Sequence, residues 1–404
     1  MIPLVLFALA ALSSPALRAA DWPQFLGPTR DGVYSGADLA PAPRPALLWK
    51  KDIGQGFSAP VVAQGKLLVF HRNGGKETVE ALDPATGKRL WATDSATSYR
   101  DDFGFDEGPR ATPAVEGNRV YTHGADGFIQ ALDLATGKRL WSVDTRRAFE
   151  FRKGFFGSVS SPLVEGDAVL VGVGAANGAG IVAFHKDTGK TLWTATSDEA
   201  GYGSPMMAAI GGARLALFFN RAGLTALDAA SGAVRFQFPW RARSHASVNA
   251  ATPVVSGDLV FLSASYGTGA VLLQIKPAGP KPVWSSDDAM SNHYATCVLR
   301  DGYLYGYHGR QEEGQSLRAV ELKTGKVQWN VERFGAGTVT LAGNRLLLVR
   351  EDGEWNVAEA NPKEFRVLSK AQLLPATIRA YPAIAAGRLY VRDTKTLAAF
   401  DLRK

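Results

Sequence analysis

One cysteine, Cys297, occurs in 404 residues. A lone thiol excludes a disulfide framework, a cysteine-based metal site and a vicinal catalytic pair. Histidine is scarce as well: there are six, and no His-x-x-x-His or Glu-x-x-His spacing gathers a metal centre. Neither a Gly-x-Ser-x-Gly elbow nor a glycine-rich phosphate loop is present. The formal charge is +7, but no basic stripe is interleaved with base-stacking aromatics, which excludes nucleic acid as the expected partner. The apolar run Ile2–Leu12 is too short to span a bilayer, so no transmembrane segment is expected. Helical periodicity is missing throughout the repeated part of the chain.

What the sequence has instead is a repeat. Ala81-Leu-Asp-Pro-Ala-Thr-Gly-Lys-Arg-Leu-Trp91 returns as Ala131-Leu-Asp-Leu-Ala-Thr-Gly-Lys-Arg-Leu-Trp141 and as Ala183-Phe-His-Lys-Asp-Thr-Gly-Lys-Thr-Leu-Trp193. Weaker copies end at Phe236, Trp284 and Trp329. Each reads as a strand, a tight turn and a second strand. Asp83 or Asp133 can accept N–H groups of the turn, Gly87, Gly137 or Gly189 supplies the positive φ of the reversal, and the Trp closes the second strand. Upstream lies a second recurring stretch, seen at Ser58-Ala-Pro-Val-Val-Ala-Gln-Gly65, Ala111-Thr-Pro-Ala-Val-Glu-Gly117, Ser160-Ser-Pro-Leu-Val-Glu-Gly166 and Ala251-Thr-Pro-Val-Val-Ser-Gly257. Joined, the two give one four-stranded unit, and the 42, 50 and 52 residues separating Trp49, Trp91, Trp141 and Trp193 fit one propeller blade each.

Aligning first strands on Pro60, Pro113, Pro162, Pro205, Pro253, Cys297, Val339 and Pro382 gives eight blades. The fourth is degenerate, and the seventh has Asn361-Pro-Lys-Glu-Phe in place of the Thr-Gly-Lys turn, so a count of seven is the rival. The last unit stops at Asp401 without a fourth strand, while Leu47-Leu-Trp49 looks like a fourth strand without the other three. Residues 47–51 are therefore expected to complete the last blade and seal the ring, removing two sheet edges. The expected fold is an all-β, eight-bladed propeller of four-stranded antiparallel blades over residues 47–404. Residues 21–46, rich in Pro and Gly, read as an irregular arm pinned by Trp22 and Phe25. Residues 1–20 read as an export signal, with small residues Ala16, Ala19 and Ala20 for cleavage but no cationic start. No cysteine follows the apolar core, so a lipid anchor there is not expected. The protein is expected to be periplasmic or secreted, soluble and monomeric.

Two residues before each aligned position stand Ser58, Ala111, Ser160, Gly203, Ala251, Ala295, Gly337 and Ala380, all small, and these are expected round the central channel. One step earlier the residues diversify: Phe57, Arg110, Val159, Tyr202, Ala250, Tyr294, Ala336 and Arg379. Asn249 and His293 come one step earlier again. Arg110, Tyr202, Asn249, His293, Tyr294 and Arg379 form the candidate channel-mouth site, the arginines facing carboxylate or phosphate and the tyrosines a flat or peptide ligand. The same groups could instead fill the channel. Asp101, Asp102, Asp106 and Glu107 read as a solvated loop and not as a Ca²⁺ site. Arg146, Arg147, Arg152, Lys153, Arg241 and Arg243 read as ordinary surface charge.

These repeats resemble the pyrroloquinoline-quinone-type β-propeller family, whose Ala-x-Asp-x-x-Thr-Gly-Lys-x-x-Trp motif is matched closely at 81–91 and 131–141. The resemblance implies that Trp91, Trp141, Trp193, Trp284 and Trp329 lie between neighbouring blades, with Trp49 doing so at the seam. His185 and Glu321 at the Asp position and Phe236 at the Trp position are departures. The family has quinoprotein dehydrogenases, which hold the quinone (PQQ) and Ca²⁺ beside a vicinal disulfide, and periplasmic scaffolds of outer-membrane β-barrel assembly. With one cysteine, no mapped Ca²⁺ ligands and no long insertions, this chain is expected to be a non-catalytic scaffold without cofactor or metal, binding a protein or peptide of the cell envelope. A PQQ- and Ca²⁺-dependent alcohol or sugar dehydrogenase is the alternative.

Overall fold

A computed structural model describes residues 21–404 except Arg152, residues 245–247 and Ala376. The expected export signal, Arg152 and His245 lie outside the described residues. Eight sheets arise from the repeat, each a blade, and in all but the last the four repeat strands run in chain order from the axis outward. Blade 1 is typical: Val61–Ala63, Lys66–Asn73, Lys76–Leu82 and Arg89–Ala96. Its middle strands are buried on both faces because another blade covers each side, which is why Leu67-Leu-Val-Phe70 is continuously apolar. The outermost strand alternates exposed and half-buried residues, as solvent covers its far edge.

Blade 7 forms in full (Gly337–Ala342, Arg345–Arg350, Glu354–Glu359, Val367–Gln372) despite its altered turn. Blade 8 consists of Ala383–Ala385, Arg388–Arg392, Thr396–Asp401 and, from the other end of the repeat, Ala46–Asp52. Antiparallel pairing of Trp49 with Ala399 and Lys51 with Leu397 seals the ring.

Blades are fastened to one another through the repeated Trp and Gly. Trp91 Nε1 donates to Leu134 O of the next blade's turn at 3.0 Å, and a Cβ on Gly137 of that turn would lie 2.5 Å from the indole. Trp49 uses Pro84 O and Gly87, Trp141 uses Lys186 O and Gly189, Trp193 uses Ala229 O and Gly232, and Trp284 uses Leu322 O and Gly325. Glycine is thus demanded twice at each turn, by a φ of 69° to 73° or slightly more (75° at Gly137) and by the ring lying on it. Where Phe236 replaces the Trp, the following turn shortens to Pro277-Ala278, and Gly279 faces open space. In blade 7 the Asn361 carbonyl still accepts from Trp329, and Phe365 takes over contact with the indole at 5.4 Å. Asp83 and Asp133 accept turn N–H groups, and His185 in the same position does so through Nδ1.

Every outermost strand also carries a bulge at the residue before the docking position, for example at Leu48, Leu90, Leu140 and Leu192. The bulge lets the Trp turn toward the next blade while the preceding side chain points out to solvent.

The row of eight small residues is not where the sequence suggested. All are buried, but none lines the central cavity. Side chains alternate along a strand, so when the residues before and after face the axis, this row faces the adjacent blade. A Cβ on Gly203 would lie 2.8 Å from Ala251 O of the next blade. Small size is needed for blade-to-blade approach. The following residue carries a belt of hydroxyls: Ala59 N donates to Thr112 Oγ1, Thr112 N to Ser161 Oγ, Ser161 N to Ser204 Oγ, and Thr252 N to Thr296 Oγ1. Tyr381 closes part of the circle by accepting from Thr296 N across the channel.

The arm does more than lie on the body. Trp22 bridges to Val62, and Val33–Tyr34 adds a fifth, parallel strand to blade 7. Between them the chain turns into the channel from the side bearing the hairpin turns. There Arg30, 3% exposed, donates to Pro162 O and Pro205 O of blades 3 and 4 and to Gln24 Oε1. Phe25 meets Tyr381 edge-on at 5.2 Å. The channel is therefore blind at the arm's end.

Two outcomes follow for stability. Deleting residues 21–51 removes the sealing strand and the arm's plug together, and should give an aggregating or poorly folded product, read by size-exclusion chromatography; a truncation that melts like the parent would refute the seam. Trp141→Ala should cost about 3–5 kcal/mol, as for other buried aromatics, and Gly137→Ala should also destabilise in denaturant titration, through both backbone strain and collision with Trp91.

Candidate functional site

Loops on the face opposite the arm surround the open end of the channel, a cavity of about 350 Å³. Its floor is Phe25, Ala59, Ser161, Ser204 and Tyr381; its wall includes Phe57, Arg110, Tyr202, His293, Tyr294 and Arg379. Five of the six candidate residues thus meet at one cavity. Asn249 does not line it: 2% exposed, its Nδ2 donates to Asn220 O and Trp240 O, and its carbonyl accepts from Tyr202 N and Gly203 N. It braces the wall from behind, because the strand alternation that presents Val248 and Ala250 turns Asn249 away.

The wall is held by paired charges and stacked rings. Arg110 lies 3.7 Å from Asp101 and donates to Tyr99 Oη and Asp106 O. Its guanidinium is over Phe57, Tyr99 and Phe156 at 5.3 to 5.8 Å from the ring centroids. Arg379 Nε donates to Glu351 Oε1 at 2.9 Å, and Tyr294 Oη donates to the same oxygen at 2.5 Å. Burial and that carboxylate push the Tyr294 phenol well above its ordinary range. Tyr202 packs edge-on against Phe156, and its Oη accepts from Phe156 N. Burial lowers the His293 pKa; its ring nitrogens are engaged by Gln311 Oε1 and by Tyr266 Oη.

Aromatic loops at the rim escaped the sequence reading. Phe103 and Phe105, on the long connection from blade 1 to blade 2, are 51% and 52% exposed and stack at 6.2 Å. Phe103 also contacts Phe155 and Phe156 of the next connection. The visible signals were Phe-Gly-Phe inside the acidic run and Phe-Phe inside the basic one. Those charges serve the loops themselves: Asp101 accepts Phe105 N and Asp106 N, Asp106 accepts Gly56 N and Gly108 N, Glu107 pairs with Arg100, and Lys153 with Asp102. Arg146 and Arg147 pair with Asp126 and Asp144, while Arg241 and Arg243 are exposed.

Both aromatic loops hang on one turn, residues 124–127. Ala125 O accepts from Ser158 N, and Asp126 accepts from Thr97 Oγ1 and Ser98 N. Glu77 lies buried behind that turn and accepts Ala125 N at 2.9 Å.

Among the described residues no three His, Cys, Asp or Glu side chains gather as a metal site. Among the described residues Glu312 is the one carboxylate lining the cavity, and it pairs with Arg310. Cys297 is buried, its thiol pushed up to about 12 by burial. Among the described residues that line the cavity, the oxygen donors that would hold Ca²⁺ beside a quinone are not gathered, so these residues do not fit that group.

A family model described as outer membrane protein assembly factor BamB matches residues 41–177 and 148–330. The chain belongs to the PQQ-like β-propeller family. No curated protein matches it in sequence. Among solved structures, BamB from Moraxella catarrhalis is similar, with TM-score 0.64 and 17% identity over 89% of this chain and 98% of that one. Quinohemoprotein alcohol dehydrogenase from Comamonas testosteroni is equally so, with TM-score 0.65 and 17% identity over 96% of this chain and 82% of that one. A computationally designed protein, Ika8, matches at TM-score 0.64 with 14% identity, covering 89% and 100%. At these identities the likeness concerns the fold, which the family uses both in a scaffold and in enzymes.

Burial raises the Glu77 carboxyl from 4.5 to about 7, with Asp126 adding to the rise while the Ala125 N–H and Arg72 oppose it. The folded protein then holds a proton between those values that the unfolded chain has released, so this group's contribution is full below 4.5 and is lost as pH rises through about 7. Glu77→Gln should therefore gain on the parent as pH rises across that window, by about 2–3 kcal/mol at most. Melting curves that stay parallel for parent and variant from acid to neutral pH would contradict this.

Proposed function

We propose that this protein is an exported, non-catalytic binding or scaffold propeller of the cell envelope, acting in outer-membrane protein assembly and working without a cofactor. It engages a protein or peptide partner at the open mouth of the channel. The observation that carries the reading is the exposed aromatic pair Phe103 and Phe105 set above a blind, ring-lined cavity. Apolar side chains exposed singly are ordinary, but large rings clustered in the open beside a cavity mark a surface that binds, and a concavity with a few non-equivalent polar groups is what discrimination between ligands requires. The Thr-Gly-Lys rim on the other face repeats one chemistry round much of the ring and offers little to discriminate. The family match to an assembly factor supports the envelope setting. Among the described residues no helix is long and apolar enough to cross a membrane.

The paired state of the wall supports binding over catalysis. Arg110 faces Asp101, both nitrogens of His293 are occupied, and the thiol is buried, so none of these described groups stands as a poised base or nucleophile.

Phe103→Ala with Phe105→Ala should weaken an environment-sensitive apolar dye such as bis-ANS by about tenfold or more, as hot-spot aromatics do, whereas Lys88→Ala with Lys138→Ala should leave it unchanged. The reverse ranking would move the functional surface to the arm's face. Saturable uptake of quinone with Ca²⁺, accompanied by alcohol-dependent dye reduction, would replace the scaffold reading with the dehydrogenase one.

A further inference from the structure

The cations round the cavity differ in how much of each is already used. Arg110 spends both terminal nitrogens on Tyr99 Oη and Asp106 O and faces Asp101. Arg310 is paired with Glu312 and Glu313. Arg379 is engaged through Nε alone, on a Glu351 oxygen that Tyr294 holds from another side. Among the described residues neither of its terminal nitrogens has a hydrogen-bond partner, and its side chain, 23% exposed, lines the cavity. Phe57 and Phe105 lie 5.5 and 5.4 Å from its guanidinium and restrict its movement. An arginine fixed along one edge, with its other N–H groups turned to a partly dry space, is prepared to take a carboxylate in two hydrogen bonds.

The next residue on the same face, Tyr381, lies roughly 7 Å deeper along the inner strand, where it packs with Phe25 in the floor that Ala59, Ser161 and Ser204 share. Among the described residues none of those that line this lower chamber is charged; Arg30 is spent on carbonyls behind its floor. We infer that the cavity takes an aromatic ring joined to a carboxylate by a short tether, the carboxylate on Arg379 and the ring in the chamber over Phe25 and Tyr381. This rests on the mouth being the ligand site and adds the chemistry that it reads. A free aromatic acid carries that chemistry, and so does a peptide whose last residue is aromatic. Glu351 orients the arginine fork and also competes for its charge.

The test uses the mature chain, with displacement of bis-ANS as the readout. The competitors are N-acetylphenylalanine, N-acetylphenylalaninamide, and a tetrapeptide ending in phenylalanine with a free or an amidated C terminus. Both acids should compete about tenfold better than their amides, Arg379→Gln should abolish the difference, and Glu351→Gln should preserve or enlarge it. A peptide acid stronger than N-acetylphenylalanine identifies a polypeptide terminus as the source; equal strength identifies the free acid; both support the inference. Acids and amides competing equally, or Glu351→Gln erasing the preference, would overturn the carboxylate assignment while the mouth reading stands. Loss of dye binding from the parent itself would overturn the mouth reading.

Discussion

An indole lying on a glycine turn of the next blade is the contact on which this ring depends. The two partners are separated by about one repeat in sequence, so each contact can form only when neighbouring blades have both folded. A chain of such contacts couples blade to blade and runs through the seam, where Trp49 sits on Gly87. The aromatic surface supplies burial, and the indole N–H supplies one directed bond to a carbonyl that would otherwise face a half-buried site. Lose the Trp, as at Phe236, and the glycine loses its reason: the next turn is shorter and its glycine touches nothing. At Trp329 the opposite happens: the indole persists without the glycine, and Phe365 supplies the contact in its place.

Around the axis a different constraint holds. Inner strands come close enough that each blade's first residues must be small on the side facing a neighbour, and hydroxyls one position later satisfy the neighbour's N–H groups. The belt leaves gaps, and Tyr381 and Arg30 reach into the channel to satisfy groups of blades other than their own. Filling from the arm's side makes the opposite side a cup. A tunnel would have offered two entrances and no floor for a ligand to rest on.

Much of this was legible in the residues. The repeat gave blade number, the seam and the docking tryptophans, because these follow from period and from residue types that only one environment demands. The channel row was assigned one position out, since a list of small residues does not say which face of a strand they occupy; parity came only with the register. Asn249 was set at the mouth by the same misplaced parity and instead braces the wall, while Arg110, Tyr202, His293, Tyr294 and Arg379 line the cavity at positions where the repeat had ceased to dictate the residue. Arg30 was invisible: nothing in a Pro- and Gly-rich arm announces an arginine that crosses to blades 3 and 4. The phenylalanine loops were masked by the charges around them, which drew notice to Asp101 and Lys153 instead of the rings they position.

The bulge before each docking residue has a consequence for how the molecule meets its own copies. Eight outermost strands present unpaired backbone to solvent, and several carry an exposed leucine or valine there. A straight strand of that kind would be a template for another chain, and a ring with many such templates would crosslink into a precipitate. An extra residue in each strand breaks the regular spacing of donors and acceptors that a second strand would need to match. The same local irregularity that aims the tryptophan inward thus gives a wheel of eight open edges a rim that a second copy cannot match strand for strand.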